Sequence, residues 1–320
     1  PWNATMVKGN SILLQLSGDV TTDAATHVRY AWYDYVECTV TNSDGLVLSP
    51  FLEPVAVGAE QQRALEQQPR ELVVAAADTA DSGPIMSPPL GFNSWNFYHC
   101  NIDENTVKAI ADAMTSNGMS DAGYTFVNID DCWQVERFPD GTIQPDPSRF
   151  PSGMKALADY VHGKGLKFGL YTARGSRTCQ NRPGAHAHEI IDAATYCDWG
   201  LDYLKNDNCG GTFDKGPENV SWVKFRNGFE ECYNRTGRYT VRSVESCGDP
   251  NACGQWIGDV ANLWRTTEDV QATWESVMAN IHANDAMAKV ARPGAFNDPD
   301  MLEIGNVGLS LVEQYSQMSL

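Results

Sequence analysis

The chain has 320 residues, of which 42% are hydrophobic and 20% are charged. This composition is typical of a globular protein, and the length allows one large domain or two modest ones. The formal net charge of -18 argues against a nucleic-acid partner, because binding phosphates requires clusters of Lys and Arg. No apolar run approaches the roughly 20 residues that span a bilayer, so we expect no membrane partner.

Cysteine usage indicates the compartment. Nine cysteines are many for a reducing environment, and none has the CxxC spacing of a zinc site. They predict disulfides and therefore a secreted or lumenal protein, extracellular, lysosomal or vacuolar. Glycosylation sequons at Asn3, Asn219 and Asn234 are compatible with a secreted glycoprotein. Because residue 1 is Pro rather than Met, we expect that the sequence starts inside a longer chain or at a processing site.

The first 87 residues divide into two segments of different character. Residues 1–55 are rich in β-branched and aromatic residues, and segments 11–16 and 27–42 have the alternation of strands. Residues 56–87 change to Ala, Gln and Glu with scattered Gly and Pro, which predicts a linker.

From residue 88 to residue 320, short apolar strands alternate with amphipathic helical stretches. This alternation predicts a parallel sheet covered by helices. A doubly wound sheet would also alternate, but no GxGxxG follows the first strand. We therefore expect an α/β fold, a (β/α)8 TIM barrel truncated before its eighth strand. The predicted strands are segments 90–95, 124–133, 167–172, 203–208, 239–245, 263–269 and 294–302, and clear helical patterns cover 104–119, 153–165 and 188–200.

Polar side chains follow most of these strands, where the catalytic groups of a barrel are found. Carboxylates occur at five of the seven predicted strand ends, with only two cations among them. Such a set of like charges is too costly for a structural core. On this pattern, a divalent-metal site and a sugar-binding pocket both remain open.

Five motifs in this region occur in a defined order: GFNSW, NIDDCW, YLKNDNC, LWRTTEDV and FNDPDMLEIGN. Together they resemble glycoside hydrolase family 27, which contains α-galactosidases and α-N-acetylgalactosaminidases, over residues 88–320. The resemblance implies a retaining hydrolase that removes terminal α-D-galactosyl residues from oligosaccharides or glycoconjugates by double displacement. It also implies that no metal or organic cofactor takes part.

The resemblance assigns Asp207 as the nucleophile and Asp269 as the acid/base. Lys205 lies two positions before Asp207 and therefore on the same face of the strand, where its charge favours an ionised nucleophile. The acid must hold a proton for the leaving oxygen and then act as a base towards water. Retention predicts that the two carboxyl groups lie about 5–5.5 Å apart.

The remaining sugar contacts follow from the same resemblance. Asp130 and Asp131 are expected to hold the 6- and 4-hydroxyls of the sugar, and Trp95 to pack against its ring. A carboxylate at Asp130 favours galactose over a pentose. The residues expected to complete the binding pocket are Tyr171, Lys205, Arg265 and Asp300.

Substrate choice at the 2-position of the sugar stays open. The family usually has Ser-Leu-Cys-Glu-Trp after the fifth strand, whereas this chain has SVESC. Either Glu245 or a rebuilt loop therefore contacts this position. The alternatives to an α-galactosidase are an α-N-acetylgalactosaminidase, a β-L-arabinopyranosidase or a non-catalytic carbohydrate-binding relic.

Two disulfides are implied by the resemblance, Cys100 with Cys132 and Cys179 with Cys209. Further candidate pairs are Cys247 with Cys253 and Cys197 with Cys232, which would leave Cys38 unpaired.

Some features are given other interpretations. Residues 27–51 resemble the closing β segment of a sialate O-acetylesterase, which implies that residues 1–55 are the tail of an upstream esterase-like domain. His186, His188 and Glu189 form a possible metal cluster, but their place at a predicted helix start favours a structural role. Asp298 is interpreted as a structural residue of the turn around Pro299.

Overall fold

The structure is a computed structural model. It describes residues 85, 87–213, 219–245 and 256–319, together with the backbone of four short strands near the N-terminus. Two compact units are distinguished: one spans Ala77–Ser310, and the other combines Pro1–Ala76 with Leu311–Leu320. The predicted linker lies almost entirely outside the described residues.

The N-terminal strands form two antiparallel pairs. Strand β1 (Trp2–Val7) pairs with β2 (Ser11–Leu16), and β3 (His27–Tyr30) pairs with β4 (Phe51–Pro54). The strand predicted at 11–16 is thus confirmed, and β3 is the first part of the strand predicted at 27–42. Residues 31–50, including Cys38, lie outside the described residues.

The larger unit contains a seven-stranded parallel sheet in which chain neighbours are adjacent. A strand of this sheet lies in each of the seven predicted strand segments, which confirms the (β/α)8 fold class. A two-stranded antiparallel hairpin, β7 and β8, is inserted after the second sheet strand. In chain order the strands are β5 (Gly91–Asn93), β6 (Phe126–Asn128), β7 (Gln134–Arg137), β8 (Ile143–Pro145), β9 (Lys167–Ala173), β10 (Tyr203–Asp207), β11 (Val241–Val244), β12 (Leu263–Arg265) and β13 (Phe296–Asp298).

Helices follow the sheet strands as the alternation predicts. The helices predicted at 104–119, 153–165 and 188–200 are confirmed as α2, α3 and α4. No helix among the described residues is both long and apolar enough to cross a membrane. The helices are α1 (Trp95–Tyr98), α2 (Glu104–Ser116), α3 (Gly153–Gly163), α4 (Glu189–Trp199), α5 (Asn219–Thr236), α6 (Trp274–Asp285) and α7 (Leu311–Ser319), with a 3-10 turn at Ile257–Asp259.

Local signals set the ends of these helices. Asp103 precedes α2, and its side chain accepts a hydrogen bond from the backbone N–H of Thr106. Thr273 caps α6 in the same way. Helix α4 ends at Gly200, which has the left-handed φ of 84° that glycine adopts without strain.

The core of the larger unit lies between the helices and the sheet. Val107, Ala111 and Met114 recur at helical spacing on α2 and are almost completely buried. Strand β9 is buried along nearly its whole length, as expected for a parallel strand covered on both faces. This packing directs the carboxyl ends of the sheet strands towards one edge.

Candidate active site

One cavity of about 500 Å³ opens at the carboxyl ends of the strands. Nine of the ten residues predicted to react with or bind a sugar line it, and Glu245 is the exception. The structure therefore brings together residues that are spread over about 200 positions of sequence. The nine are Trp95, Asp130, Asp131, Tyr171, Lys205, Asp207, Arg265, Asp269 and Asp300.

Asp207 is the last residue of β10, and two hydrogen bonds orient its carboxylate. The Tyr171 hydroxyl donates to Oδ2 at 2.8 Å, and the backbone N–H of Asn208 donates to Oδ1 at 2.7 Å. Tyr171 is only 1% exposed, so the orienting hydroxyl is itself held by packing. A carboxylate fixed in this way suits attack on a bound carbon atom.

A disulfide between Cys179 and Cys209 borders the same carboxylate. The Sγ atom of Cys179 lies 3.2 Å from Oδ2 of Asp207. One potential ligand atom from each of these three residues lies within 4.8 Å of the others. The two sulfur atoms are bonded to each other and are not thiolates, so they do not form a metal-binding set with Asp207.

Lys205 supplies positive charge between two carboxylates. Its Nζ donates to Oδ2 of Asp130 at 2.9 Å and lies 5.3 Å from the centroid of the Tyr171 ring. Burial acts to lower the pKa of Lys205, but the charges of Asp130 and Asp207 outweigh it and raise the pKa. Lys205 therefore remains charged and offsets part of the negative charge of the cavity.

Asp130 and Asp131 come one residue after the end of β6 and are almost fully buried. Oδ2 of Asp130 also accepts from the amide of Asn93 at 3.0 Å. Asp131 accepts from two backbone N–H groups, that of Cys132 at 2.6 Å and that of Gln180 at 2.9 Å. Burial, and to a lesser extent the charge of Asp130, raises the pKa of Asp131.

Arg265 lies close to three carboxylates. Its guanidinium lies 3.1 Å from Asp269, 3.3 Å from Asp300 and 3.8 Å from Glu245. Burial acts to lower the pKa of Arg265, but the charges of Asp300 and Glu245 outweigh it and raise the pKa. The side chain of Asp269 is 82% exposed, so this carboxyl group faces the open side of the cavity.

Asp300 is held in an unusual backbone conformation. Its φ of 77° is in the left-handed region, which non-glycine residues rarely adopt. Its Oδ2 accepts from the backbone N–H of Val270 at 2.8 Å, and its own N–H donates to Oδ1 of Asp298 at 2.9 Å. Such strain persists where the surroundings over-determine it, often at functional sites. This hydrogen bond spans Pro299 and agrees with the interpretation of Asp298 as a structural residue of the turn.

Glu245 does not line the cavity, and its carboxylate lies 3.8 Å from Arg265, which does. The following residues, 246–255, lie outside the described residues and include the predicted pair Cys247 and Cys253. Recognition of the 2-position of the sugar by Glu245 or by this loop stays a prediction.

Asn93 has a role that sequence reasoning missed. Its amide donates to Asp130, while its carbonyl oxygen accepts from the backbone N–H of Trp95 at 2.8 Å. The ring of Trp95 is half-buried and meets His99 edge-on at 5.2 Å. Asn93 therefore links Trp95, which is predicted to pack on the sugar ring, with Asp130, which is predicted to bind a sugar hydroxyl. The sequence signal for this role was the position of Asn93 at the end of a strand, here β5.

The histidine cluster near α4 has structural contacts. Nδ1 of His188 lies 2.8 Å from the backbone oxygen of His186, and His188 is the residue that precedes α4. Glu189 is buried and forms an ion pair with Lys224 at 3.2 Å. These contacts agree with the structural interpretation of the cluster.

Three disulfides occur among the described residues. Cys100–Cys132 and Cys179–Cys209 are the pairs implied by the family resemblance. The further candidate pair, Cys197–Cys232, is also formed and joins α4 to α5.

Comparison with known proteins identifies the family. The family model described as "Alpha galactosidase A" (Melibiase_2) matches residues 87–320. The chain is 42% identical to a probable alpha-galactosidase of Dictyostelium discoideum over 251 residues, 78% of this chain and 63% of that protein. It is 44% identical to alpha-galactosidase 2 of Arabidopsis thaliana over 242 residues, 75% of this chain and 59% of that protein.

Among solved structures, alpha-galactosidase I from Mortierella vinacea superposes with a TM-score of 0.64 at 36% identity, covering 72% of this chain and 63% of that one. The chain thus spans about 60% of the length of these relatives. The motifs, the strand order and these matches agree, and the chain belongs to the alpha-galactosidase A (melibiase) family, glycoside hydrolase family 27.

Proposed function

We propose that the protein is a retaining glycoside hydrolase that cleaves terminal α-D-galactosyl residues from oligosaccharides or glycoconjugates. The observation that carries the proposal is the placement of an oriented carboxylate, Asp207, and an exposed one, Asp269, in the same cavity. Retaining glycosidases use two such carboxyl groups with different roles.

In the first step, a carboxylate oxygen of Asp207 attacks the anomeric carbon and forms a glycosyl ester. The bond from that carbon to the leaving oxygen breaks, and the carboxyl group of Asp269 transfers its proton to this oxygen. The exposure of Asp269 suits this role, because the leaving group departs towards solvent. Tyr171 holds Asp207 in orientation during the attack.

In the second step, ionised Asp269 takes a proton from water, and the water oxygen attacks the same carbon. The ester bond to Asp207 breaks and the carboxylate is restored. Two inversions leave the product with the configuration of the substrate. The cationic Lys205 counters the negative charge that returns to this side of the cavity.

The buried carboxylates suit a hydroxyl-rich ligand. Asp130 and Asp131 accept hydrogen bonds from sugar hydroxyls, and Trp95 packs on the ring. Arg265 and Asp300 complete the opposite wall of the cavity. No step requires a metal, so we expect hydrolysis to be unchanged by a chelator, which separates this mechanism from that of a divalent-metal hydrolase.

The test is hydrolysis of p-nitrophenyl α-galactoside by the full natural chain, alongside the α-N-acetylgalactosaminide and the β-L-arabinopyranoside. We expect the galactoside to be preferred and Asp207→Ala to reduce kcat by about four orders of magnitude or more. Proton NMR should detect α-galactose as the first product.

The matched control is Asp198→Ala, whose side chain is 66% exposed on the surface. Full turnover by Asp207→Ala would contradict the assignment of the nucleophile. Preference for either of the other glycosides would reassign the substrate. No turnover of any of the three by the folded natural chain would favour a non-catalytic carbohydrate-binding protein.

We also propose a secreted or lumenal location, supported by the three disulfides. We further propose that residues 1–55 are the C-terminal end of an upstream esterase-like domain. Intact disulfides in the natural protein, measured by mass spectrometry without reduction, are the expected outcome, and free thiols at these six positions would contradict the location.

A further inference from the structure

The disulfide between Cys179 and Cys209 differs from the other two disulfides in its access to solvent. Cys179 is exposed and lines the cavity. In contrast, Cys132 is 0% exposed, and Cys197 and Cys232 are 6% and 2% exposed. A thiol reductant must reach a sulfur atom before it can break a disulfide. We therefore expect Cys179–Cys209 to be the first of the three disulfides to be reduced.

Backbone hydrogen bonds hold together the two segments that carry these cysteines, independently of the disulfide. The N–H of Arg174 donates to the backbone oxygen of Asp207 at 2.8 Å. The N–H of Ser176 donates to the backbone oxygen of Thr212 at 2.9 Å, and the N–H of Thr212 donates to Oγ of Ser176 at 2.9 Å. The segments after β9 and β10 should therefore stay side by side when the sulfur–sulfur bond is broken.

Reduction turns this disulfide into part of a metal-binding set. One ligand atom from each of Cys179, Asp207 and Cys209 lies within 4.8 Å of the others, and Sγ of Cys179 lies 3.2 Å from Oδ2 of Asp207. Zinc binds thiolate sulfur at about 2.3 Å and carboxylate oxygen at about 2.0–2.2 Å, so its tetrahedral ligands are roughly 3.6–3.8 Å apart. Bonded sulfur atoms are about 2.0 Å apart, so a small outward rotation of the two cysteine side chains reaches this spacing.

The charge of the cavity favours a divalent cation. Five aspartates line it, whereas Lys205 and Arg265 are the Lys and Arg side chains among its described lining residues. Two thiolates and a carboxylate suit zinc better than magnesium or calcium, which prefer oxygen ligands throughout. The open side of the cavity supplies a water molecule as the fourth ligand.

We propose that reduction of this disulfide creates an inhibitory zinc site formed by Cys179, Cys209 and Asp207. A thiolate of a dithiol reductant attacks Sγ of Cys179, and Cys209 leaves as a thiolate. The second thiol of the reductant then displaces Cys179 and closes a cyclic disulfide, so two electrons pass from the reductant to the protein. Zinc replaces the protons of the two cysteine thiols and binds both sulfur atoms and the carboxylate.

Zinc bound in this way removes the carboxylate of Asp207 from the reaction. A carboxylate oxygen that coordinates zinc has no lone pair directed at the anomeric carbon, and the ion occupies the space beside it. Hydrolysis is therefore blocked in the reduced, zinc-loaded protein and continues in the protein with an intact disulfide. The inhibition rests on the proposed function, whereas the binding of zinc does not.

The first measurement locates the reduced cysteines. The full natural chain is treated briefly with dithiothreitol under native conditions, and free thiols are alkylated and identified by mass spectrometry. We expect Cys179 and Cys209 to be alkylated before Cys132, Cys197 and Cys232. Near-ultraviolet circular dichroism should show that the fold persists. Earlier alkylation of the buried cysteines, or loss of the circular dichroism signal, would overturn the proposal.

The second measurement detects the metal by a signal other than activity. After removal of the reductant without oxygen, the reduced chain is titrated with Cd²⁺, which replaces zinc at thiolate sites and gives an ultraviolet absorption band when sulfur binds it. We expect the natural chain to bind one more Cd²⁺ than the double variant Cys179→Ser and Cys209→Ser, which keeps every other cysteine. Equal binding by the two proteins would overturn the site.

Asp207→Asn tests the third ligand. An amide is a poorer zinc ligand than a carboxylate, so we expect the variant to lower the zinc affinity of the reduced chain at least about 10-fold. The matched control is Asp159→Asn, at a side chain that is 60% exposed, which should leave the zinc affinity unchanged. Equal affinities of the two variants would remove Asp207 from the ligand set and overturn the proposed inhibition.

Inhibition is measured with p-nitrophenyl α-galactoside. At a zinc concentration about 20 times the dissociation constant, we expect kcat/KM of the reduced natural chain to fall about 20-fold and to recover when EDTA is added. The unreduced chain should change less than about 2-fold under the same conditions. Equal inhibition of the reduced and unreduced chains would place the metal elsewhere and overturn the proposal. Zinc binding by a natural chain that hydrolyses no galactoside would keep the site and overturn the proposed function instead.

Discussion

Asp131 has a carboxyl group whose environment opposes its charge. It is 1% exposed, and its two backbone donors do not fully replace the water that it has lost. Burial and the neighbouring charge of Asp130 therefore raise its pKa. Groups with raised pKa values are common in binding sites, where function is favoured at the expense of stability.

This shift predicts how stability depends on pH. Because the pKa of Asp131 is higher in the folded state, the folded protein favours the protonated form. Its contribution to stability is fully present below the ordinary value of 3.8 and is lost as pH rises through the folded value. Asp131→Asn removes this titration, so the free energy of unfolding of the natural protein should fall relative to that of the variant as pH rises.

Urea unfolding of both proteins, from pH 3.8 to neutral pH, measures the difference. A difference that does not change with pH would contradict the prediction. Asp159→Asn, at a side chain that is 60% exposed, should show no such trend.

At the scale of elements, the hairpin of β7 and β8 is the part of the sheet architecture that the sequence analysis missed. The signal was present in Pro139, Asp140 and Gly141, which are typical turn residues. Gly141 has a φ of 90°, and the side chain of Asp140 accepts from the backbone N–H of Thr142. The strands of the hairpin are only four and three residues long, too short for their alternation to stand out beside the repeated strand–helix units.

The hairpin is attached to the barrel by one buried ion pair. Both terminal nitrogens of Arg137 donate to Asp192 of α4, at 2.6 and 2.7 Å. Asp192 is fully buried, and Arg137 also donates to the backbone oxygens of Gly141 and Gly184. The carboxylate depends on this partner, because an unpaired charge in such a place is strongly unfavourable.

Arg137→Ala is expected to lower the free energy of unfolding by about 3–5 kcal/mol, because it leaves Asp192 buried and unpaired. Arg235→Ala breaks an exposed pair with Asp198 and should cost less than about 1 kcal/mol. Urea unfolding measures both. Equal costs for the two variants would show that the buried pair does not anchor the hairpin.

At the scale of the whole molecule, the three disulfides close loops of similar length. Their sequence separations are 32, 30 and 35 residues. Each should therefore constrain the unfolded chain to a similar degree and raise the free energy of unfolding by about 2–4 kcal/mol. They differ in position, because only Cys179–Cys209 borders the carboxylate of Asp207.

Removing the disulfides in pairs separates stability from activity. Replacing Cys197 and Cys232 with Ser should lower the free energy of unfolding by about 2–4 kcal/mol and leave kcat/KM for the galactoside unchanged. Replacing Cys179 and Cys209 with Ser should lower both. Equal activity of the two double variants would show that the second disulfide has no part in shaping the site.

The amino-acid sequence by itself determined the parallel sheet, its strand segments and the residues at the strand ends. These features depend on local periodicity, and a strand end is visible wherever an apolar run meets polar residues. The catalytic roles of Asp207 and Asp269 came from the resemblance of motifs and stay proposals.

Only the tertiary structure decided which distant groups meet. Asn96 and Glu303 are 207 positions apart, and neither periodicity nor composition indicates that they bind each other. The same holds for the contact of Asn93 with Asp130 and for the ion pair of Arg137 with Asp192. Local patterns specify the elements, whereas contacts between elements depend on how the whole sheet and its helices pack.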